Sequence, residues 1–151
     1  MIDVAALFAV QKEASLVGFA HIYPAEKHPF PDEAVRSGLA AQGGEPRVVV
    51  LTDEREGRLL GFALLGESEL HRLYVLPEAW GCGVAQRLHD EAVACWRERG
   101  DAEAFLWVLE ENRRARRFYE RNGWEPTGER ATTPAPPHPI KLRYRLRLTG
   151  A

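Results

Sequence analysis

The sequence has few of the features that direct a chain to a membrane, to an oxidising compartment or to a highly charged partner. It has two cysteines in 151 residues and a formal net charge of -2. Its apolar runs are too short to span a bilayer, and Asp3 stands where a secretory signal would carry basic residues. We therefore expect a cytoplasmic protein with no overall attraction to nucleic acid or to anionic membranes.

The cysteines and the five histidines do not indicate a disulfide or a metal site. Cys82 and Cys95 fall within one predicted helix, which places them about 20 Å apart, whereas a disulfide needs Cα atoms within about 7 Å. Histidines and cysteines also lack the spacing of metal ligands. With 45% hydrophobic and 28% charged residues, the chain is expected to form one domain, 1–151, around one core.

Hydrophobic periodicity predicts both helices and strands along the chain. Helices are predicted over 4–20, over 31 to about 43, over 81–99 and over 112–123, and strands over 47–52, 59–65, 69–76, 105–109 and 140–148. The fourth helix has a favourable N-cap in Asn112 and a favourable C-terminal glycine in Gly123. The last strand alternates apolar with basic residues, which predicts a half-buried strand with a basic outer face.

Gly81, Cys82 and Gly83 lie between a predicted strand and a predicted helix. The unpaired N–H groups and the dipole at the start of a helix favour a phosphate there, and glycine lets the backbone approach it closely. A tight turn without any ligand is the plainer alternative. A dinucleotide-binding fold is disfavoured, although Glu110 is placed to hold a ribose, because Gln86 replaces the third glycine of that motif and antiparallel strands precede the turn.

The segment 69–124 resembles the GNAT superfamily of N-acetyltransferases. In that family a strand of the form L-Y-V-x-P leads into Q/R-x-x-G-x-G/A, and N-x-x-A-x-x-F-Y-x-x-x-G-[FW] follows later in the chain. The corresponding segments here are Leu73–Pro77 (LYVLP), Trp80–Ala85 (WGCGVA) and Asn112–Trp124. The resemblance implies an α/β fold of the α+β type, with a mixed, mostly antiparallel sheet flanked by helices. Because helical periodicity begins at Val4, the family's first strand is expected to be short or absent.

The resemblance also implies an acyltransferase that moves an acetyl group from acetyl-CoA, its co-substrate, directly to a primary amine, without a metal. It implies that the pantetheine arm is bound by the backbone of Leu73, Tyr74 and Val75 and by Asn112, Ala115 and Phe118, and that the pyrophosphate is cradled by the N–H groups of Gly81, Cys82, Gly83, Val84, Ala85 and Gln86. Trp80 stands where the family has Gln or Arg, so one side-chain contact to phosphate is lost. Arg87 is the candidate that would replace it.

The catalytic roles implied by the resemblance agree with the chemistry. An amine must be neutral to attack a thioester, and the departing thiolate benefits from a proton donor. Tyr119, with a reference pKa of ~10 against ~8.5 for a thiol, keeps its proton at neutral pH and suits the general acid, unless it is only an aromatic packed beside Phe118. The base stays open between Glu69, which precedes Val75 at the spacing used by some family members, His71 on the same strand, and water.

The acceptor is open between a small amine, an amino acid, an antibiotic, a polyamine and a protein N-terminus. Residues 14–45 and 131–139 are expected to form the acceptor side, where His21, Tyr23, His28 and Phe30 either line a pocket or pack. A non-catalytic acyl-CoA-binding or regulatory domain is the alternative function, and a homodimer is compatible with the missing first strand.

The predicted helix over 112–123 carries a row of arginines. Five arginines, at 113, 114, 116, 117 and 121, are interspersed with Glu110, Glu111 and Glu120. This mixture favours a solvated helix face over a nucleic-acid interface, with one or two arginines available to the cofactor phosphates.

Overall fold

Six strands and four α-helices make up the residues that the structure, a computed structural model, describes, which are 3–148. The helices are α1 (Val4–Gly18), α2 (Asp32–Gly43), α3 (Val84–Glu98) and α4 (Arg113–Arg121), and a 3-10 turn spans Pro77–Ala79. The strands are β1 (Val49–Arg55), β2 (Arg58–Gly66), β3 (Glu69–Val75), β4 (Glu103–Leu109), β5 (Glu125–Thr132) and β6 (Ile140–Arg147). None of the described helices is long and apolar enough to cross a membrane.

The strands form one sheet in the order β1-β2-β3-β4-β6-β5. Every neighbouring pair is antiparallel except β3 and β4, which are parallel, so the predicted mixed, mostly antiparallel sheet is confirmed. Strand β5 was not predicted, because it contains Pro126 and Gly128 and is exposed along most of its length. Its pairing with β6 gives it the strand conformation that its own residues do not favour.

The described chain begins with a helix, as the periodicity from Val4 predicts. Asp3 caps α1 by accepting a hydrogen bond from the amide of Ala6 at 3.0 Å. No strand precedes α1 within residues 3–148, and β1 lies at the edge of the sheet. Only residues 1–3 were left for the family's first strand, and the first two of these lie outside the described residues.

Helix α3 begins at Val84 and not at residue 81. Gly83 has φ = 83°, the left-handed conformation, which ends the turn and cannot continue a helix. Cys82 therefore lies in the turn, so the prediction that both cysteines lie on one helix was wrong. Cys82 and Cys95 are nevertheless free thiols, as expected.

The core lies on both faces of the sheet. On one face, α3 buries Leu88, Ala92 and Trp96 in a cluster that includes side chains of β2, β3, β4 and β6. On the other face, α1 and α2 cover Phe62 and Leu64 of β2. The sheet is therefore covered on both faces at β2 and at β3, the strand that borders the gap described below.

A bulge in β3 fixes which side chains reach each face. Leu65 of β2 pairs with Leu70, and Leu64 pairs with Arg72, so His71 has no partner in the register. Because of this bulge, the side chains of residues 70 and 72 lie on opposite faces of the sheet. Leu70 faces α3, whereas Arg72 contacts Gln11 of α1.

Strands β3 and β4 are in register over only two residue pairs, Glu69 with Phe105 and Leu70 with Leu106. Beyond these pairs the two strands diverge. The second half of β3 is left without a partner strand on the β4 side, and the gap opens beside the glycine turn that precedes α3. The candidate active site lies in this gap.

Candidate active site

Two cavities meet in the gap between β3 and β4. The larger has a volume of about 740 Å³ and lies toward the start of α3 and the outer face of α4. The smaller has a volume of about 330 Å³ and lies between β3, β4 and the segment that follows α1. The residues that line both cavities are Phe19, Leu73, Tyr74, Asn112, Ala115 and Tyr119.

The start of α3 offers free amide groups to the larger cavity. Helices α1 and α4 are capped by the side chains of Asp3 and Asn112, whereas no side chain caps α3. A Cβ atom built on Gly81 or Gly83 would meet no heavy atom within 4 Å, so the space in front of this backbone is open. The first N–H groups of α3 therefore lack an intrahelical partner and suit an anion.

One amide of the predicted cradle has another partner. The N–H of Cys82 donates to the carbonyl of Ala79 at 3.2 Å, which closes the turn. Gly81 and Gly83 line the larger cavity together with Val84, Ala85 and Gln86.

The backbone of β3 faces the gap at alternate residues. The N–H of Leu76 donates to the carbonyl of Leu60 on β2 at 2.8 Å, so the polar groups of Leu73 and Val75 point to the opposite side, into the gap. Those of Tyr74 point toward β2, where it pairs with Phe62. The gap is therefore lined by unpaired strand backbone, which needs a hydrogen-bonding partner.

Trp80 is built into the wall of the larger cavity. Its indole Nε1–H donates to the carbonyl of Val75 at 2.8 Å, so one polar group of the gap is satisfied within the protein. The guanidinium of Arg114 lies over the ring, with its Cζ 3.7 Å from the ring centroid. Trp80 thus positions an arginine at the place where the family pattern has a Gln or Arg.

Tyr119 lies where the cavities meet. Its side chain is 9% exposed and packs edge-on against Phe118 and Trp124, with ring centroids 5.5 Å and 5.8 Å away. Burial, with a smaller contribution from Tyr74, raises the pKa of Tyr119 well above its usual value. The phenol therefore keeps its proton throughout the neutral range.

Asn112 begins α4 as predicted. Its Oδ1 accepts the amide of Ala115 at 3.3 Å, and its side chain borders both cavities. The cap fixes the side-chain oxygen and leaves the amide nitrogen as the group available to a ligand.

The structure brings most of the predicted site residues to the larger cavity. Its lining includes Leu73, Tyr74, Val75, Gly81, Gly83, Val84, Ala85, Gln86, Asn112, Ala115, Phe118 and Tyr119. Cys82 is in the adjoining turn, and Glu69 and Arg87 have other partners.

Arg87 points away from the larger cavity. Its Nη1 lies 3.1 Å from Oδ2 of Asp53, which is fully buried on β1, and its Nε lies 3.1 Å from Oε1 of Glu91. The predicted phosphate contact of Arg87 competes with these two ion pairs. Arg114, which lies over Trp80, lines the larger cavity instead.

Glu69 and His71 differ in their relation to the site, although both are on β3. Oε1 of Glu69 accepts a hydrogen bond from Arg143 at 2.7 Å, and Glu69 lines neither of the two cavities. His71, at the bulge, lines the smaller cavity.

Several cavity residues were not predicted from the sequence. The arginine row was expected to be mainly a solvated face, with one or two arginines available to the cofactor phosphates. Four of them, Arg113, Arg114, Arg117 and Arg121, are exposed as expected, and all four line the larger cavity. Their spacing of three to four residues along one helix face was the available signal. In the smaller cavity, Arg72, Trp107 and Lys141 had no such signal, because the sheet brings them together from three separate strands.

The loop after α1 contributes to both cavities. His21 lines the larger cavity and bonds the carbonyl of Glu111 at 2.8 Å. Tyr23 lines the smaller cavity, and its hydroxyl lies 3.3 Å from Oγ1 of Thr133. His28 packs on Tyr23, whereas Phe30 packs on α1.

A model of the acetyltransferase (GNAT) family matches residues 16–124, which include β1 to β4 and both motif-bearing helices. The chain belongs to the GNAT family of acetyltransferases. Within residues 3–148, no cluster of three or more His, Cys, Asp or Glu side chains is arranged to hold a metal ion.

Among similar proteins, an uncharacterized N-acetyltransferase of Mycobacterium tuberculosis is 35% identical over 91 residues, covering 57% of this chain and 58% of the relative. The mycothiol acetyltransferase of Beutenbergia cavernae is 35% identical over 114 residues, covering 69% of this chain and 38% of that protein. The match therefore spans less than two thirds of these relatives. The crystal structure of PaiA N-acetyltransferase from Thermoplasma acidophilum, in complex with coenzyme A, shares the fold, with a TM-score of 0.72, 22% identity and coverage of 96% and 92% of the two chains.

Burial of Tyr119 predicts a loss of stability in alkali. Below a pH of about 10, the phenol is protonated in both the folded and unfolded states. Above it, the unfolded state releases the proton while the folded state retains it, so the free energy of unfolding falls by up to about 1.4 kcal/mol per pH unit for this group. Urea unfolding between pH 9 and pH 11 should show a shallower fall for Tyr119→Phe. Phe118→Leu, which removes no titratable group, should keep the parent's dependence of unfolding free energy on pH. An unchanged dependence in Tyr119→Phe would contradict the raised pKa of Tyr119.

Proposed function

We propose that the protein transfers the acetyl group of acetyl-CoA directly to a primary amine of a small-molecule or peptide acceptor. The observation that carries this proposal is the position of Tyr119, where a cavity with free helix amides and arginines meets a second cavity. A donor and an acceptor that enter from the two cavities would meet at this phenol.

The residues of the larger cavity suit coenzyme A in three places. The free amides at the start of α3 and the guanidinium of Arg114 would hold the pyrophosphate. The unpaired backbone of Leu73 and the N–H of Val75 would hold the pantetheine arm, because the carbonyl of Val75 is already bonded to Trp80. The side-chain amide of Asn112 would bond a pantetheine carbonyl.

The chemistry follows from these positions. The thioester supplies an acyl carbon with a thiolate leaving group. The lone pair of the neutral amine attacks that carbon, the C–N bond forms, and the C–S bond breaks with its electron pair left on sulfur. Tyr119 donates its proton to this sulfur and later regains one from solvent, and the proton released by the amine passes to a base.

Tyr119→Phe tests the proposal. The variant should bind acetyl-CoA with the parent's affinity while kcat falls by roughly 10²- to 10⁴-fold, the usual contribution of a general acid. Calorimetric titration and thiol release with a panel of amines measure the two quantities. Tyr144→Phe is the matched control, because Tyr144 bonds Arg116 and Glu120 away from both cavities. An undiminished kcat would overturn the role of Tyr119, and a parent that binds acetyl-CoA but acetylates no amine would favour the non-catalytic alternative.

For the base, the lining of the smaller cavity supports His71 over Glu69. His71 borders the space where the amine would lie, whereas Glu69 is held by Arg143. His71→Gln should lower kcat/KM by roughly 10²-fold or more, since the group that accepts the amine proton is removed. Glu69→Gln should leave kcat/KM close to that of the parent. The opposite result, a loss only in Glu69→Gln, would assign the base to Glu69, and parent values in both variants would leave the proton to water.

Arg114 should matter only for ligands that carry phosphate, whereas Trp80 should matter for ligands with and without it. Arg114→Gln should weaken acetyl-CoA binding by about tenfold to a hundredfold, as expected for a lost charged hydrogen bond, without affecting S-acetylpantetheine, which lacks the pyrophosphate. Trp80→Phe retains a ring beneath Arg114 but loses the donor to Val75, so it should weaken both ligands. Arg147→Gln, on an exposed strand end, is the control. Equal losses for both ligands in Arg114→Gln would exclude a phosphate contact.

A further inference from the structure

The smaller cavity is lined by basic side chains and by no acidic ones. Its lining within the described residues includes Arg72 and Lys141 but no Asp or Glu. Aromatic and aliphatic side chains, among them Tyr23, Trp107 and Leu109, form much of the remaining wall. A cavity of this composition attracts an anionic group and repels a polycation.

Lys141 differs from the next two basic residues of its strand. Lys141, Arg143 and Arg145 alternate along β6 and therefore share one face of the sheet. Arg143 pairs with Glu69 at 2.7 Å and Arg145 with Glu103 at 3.4 Å. Lys141 has no carboxylate partner within residues 3–148, and its Nζ lies 4.8 Å from the centroid of the Trp107 ring. Its charge is thus available to a ligand.

Arg72 adds a second charge without an acidic partner. Its Nε and Nη1 donate to the side-chain oxygens of Gln42 and Gln11, each at 2.7 Å. These amide partners satisfy the hydrogen bonds but do not neutralise the charge, and burial lowers the pKa of the guanidinium. An anion in the smaller cavity would therefore relieve an unfavourable burial.

Lys141 lies close to the junction of the two cavities. In the register of β4 and β6 it is opposite Leu109. The carbonyl of Leu109 accepts the amide of Asn112 at 2.9 Å, and Asn112 lines both cavities. An anion on Lys141 would thus be near an amine placed at the junction, and the volume of about 330 Å³ is at the lower end of the range for small-molecule pockets, about 300–1,000 Å³.

From these positions we infer that the acceptor is a small amine of the size of an amino acid that carries a carboxylate. Its carboxylate would form an ion pair with Lys141 and would also be attracted by the charge of Arg72. This inference rests on the proposed acetyl transfer and assigns the class of its acceptor. Polyamines and polycationic antibiotics are disfavoured by the same charges. The positive cavity also favours the neutral form of the bound amine, which is the form that attacks.

Matched acceptors test the carboxylate directly. With acetyl-CoA, kcat/KM is measured for L-leucine and L-leucinamide, for L-phenylalanine and L-phenylalaninamide, and for L-lysine and cadaverine. For each pair, the kcat/KM of the acceptor with a carboxylate is divided by that of the acceptor without one. The decisive quantity is the change in this ratio from the parent to Lys141→Gln, because the intrinsic reactivity of each amine cancels. Lys141→Arg retains the charge, and Arg145→Gln removes a charge on the same face outside the cavities.

We expect the ratio in favour of the carboxylate-bearing acceptor to fall by about tenfold in Lys141→Gln, as for a lost charge-assisted hydrogen bond. Lys141→Arg should restore most of the ratio, and Arg145→Gln should leave it unchanged. An unchanged ratio in Lys141→Gln would overturn the inference. Acetylation of no panel member by protein that binds acetyl-CoA in calorimetry would also count against it, whereas absent acetyl-CoA binding would refute the proposed function itself.

Discussion

The short pairing of β3 with β4 is the constraint on which the rest of the structure depends. Parallel strands normally continue an evenly spaced ladder of hydrogen bonds, but here the ladder stops after Leu70 and Leu106. The backbone of Leu73 and Val75 then borders open space inside a sheet that is otherwise covered on both faces. Buried strand backbone without partners is unfavourable, so such a gap suits a ligand that supplies amide groups of its own.

The position of Trp80 shows how the protein accommodates a departure from the family pattern. A Gln or Arg at this position would offer its own side chain to phosphate, whereas Trp80 donates inward to Val75 and presents its ring to Arg114. In the proposed site, the charge that meets phosphate would come from Arg114 on α4, which stacks on this ring. This arrangement links the end of β3 to α4, so the two walls of the larger cavity are in direct contact.

The sequence predicted the parts of the site that depend on neighbouring residues. The uncapped glycine turn, the cap at Asn112 and the placement of Tyr119 on α4 all follow from spacing within short segments. The parts that depend on pairing between distant segments were missed. Arg87 was expected to meet phosphate, but its partner Asp53 is on β1, and β5 is a strand only because β6 pairs with it. No pattern within a short segment of the sequence indicates either contact.

The charges around the smaller cavity bear on the choice of base. A neutral amine is required for attack, and a base supplies it by accepting a proton. A cavity lined by Arg72 and Lys141, with no acidic side chain in its described lining, already disfavours the ammonium form of a bound amine. In the proposed reaction, the carboxylate of the acceptor would neutralise one of these two charges, and the other would still reduce the demand on the base. A carboxylate base within this cavity would neutralise the remaining charge, whereas Glu69 is paired with Arg143 outside it.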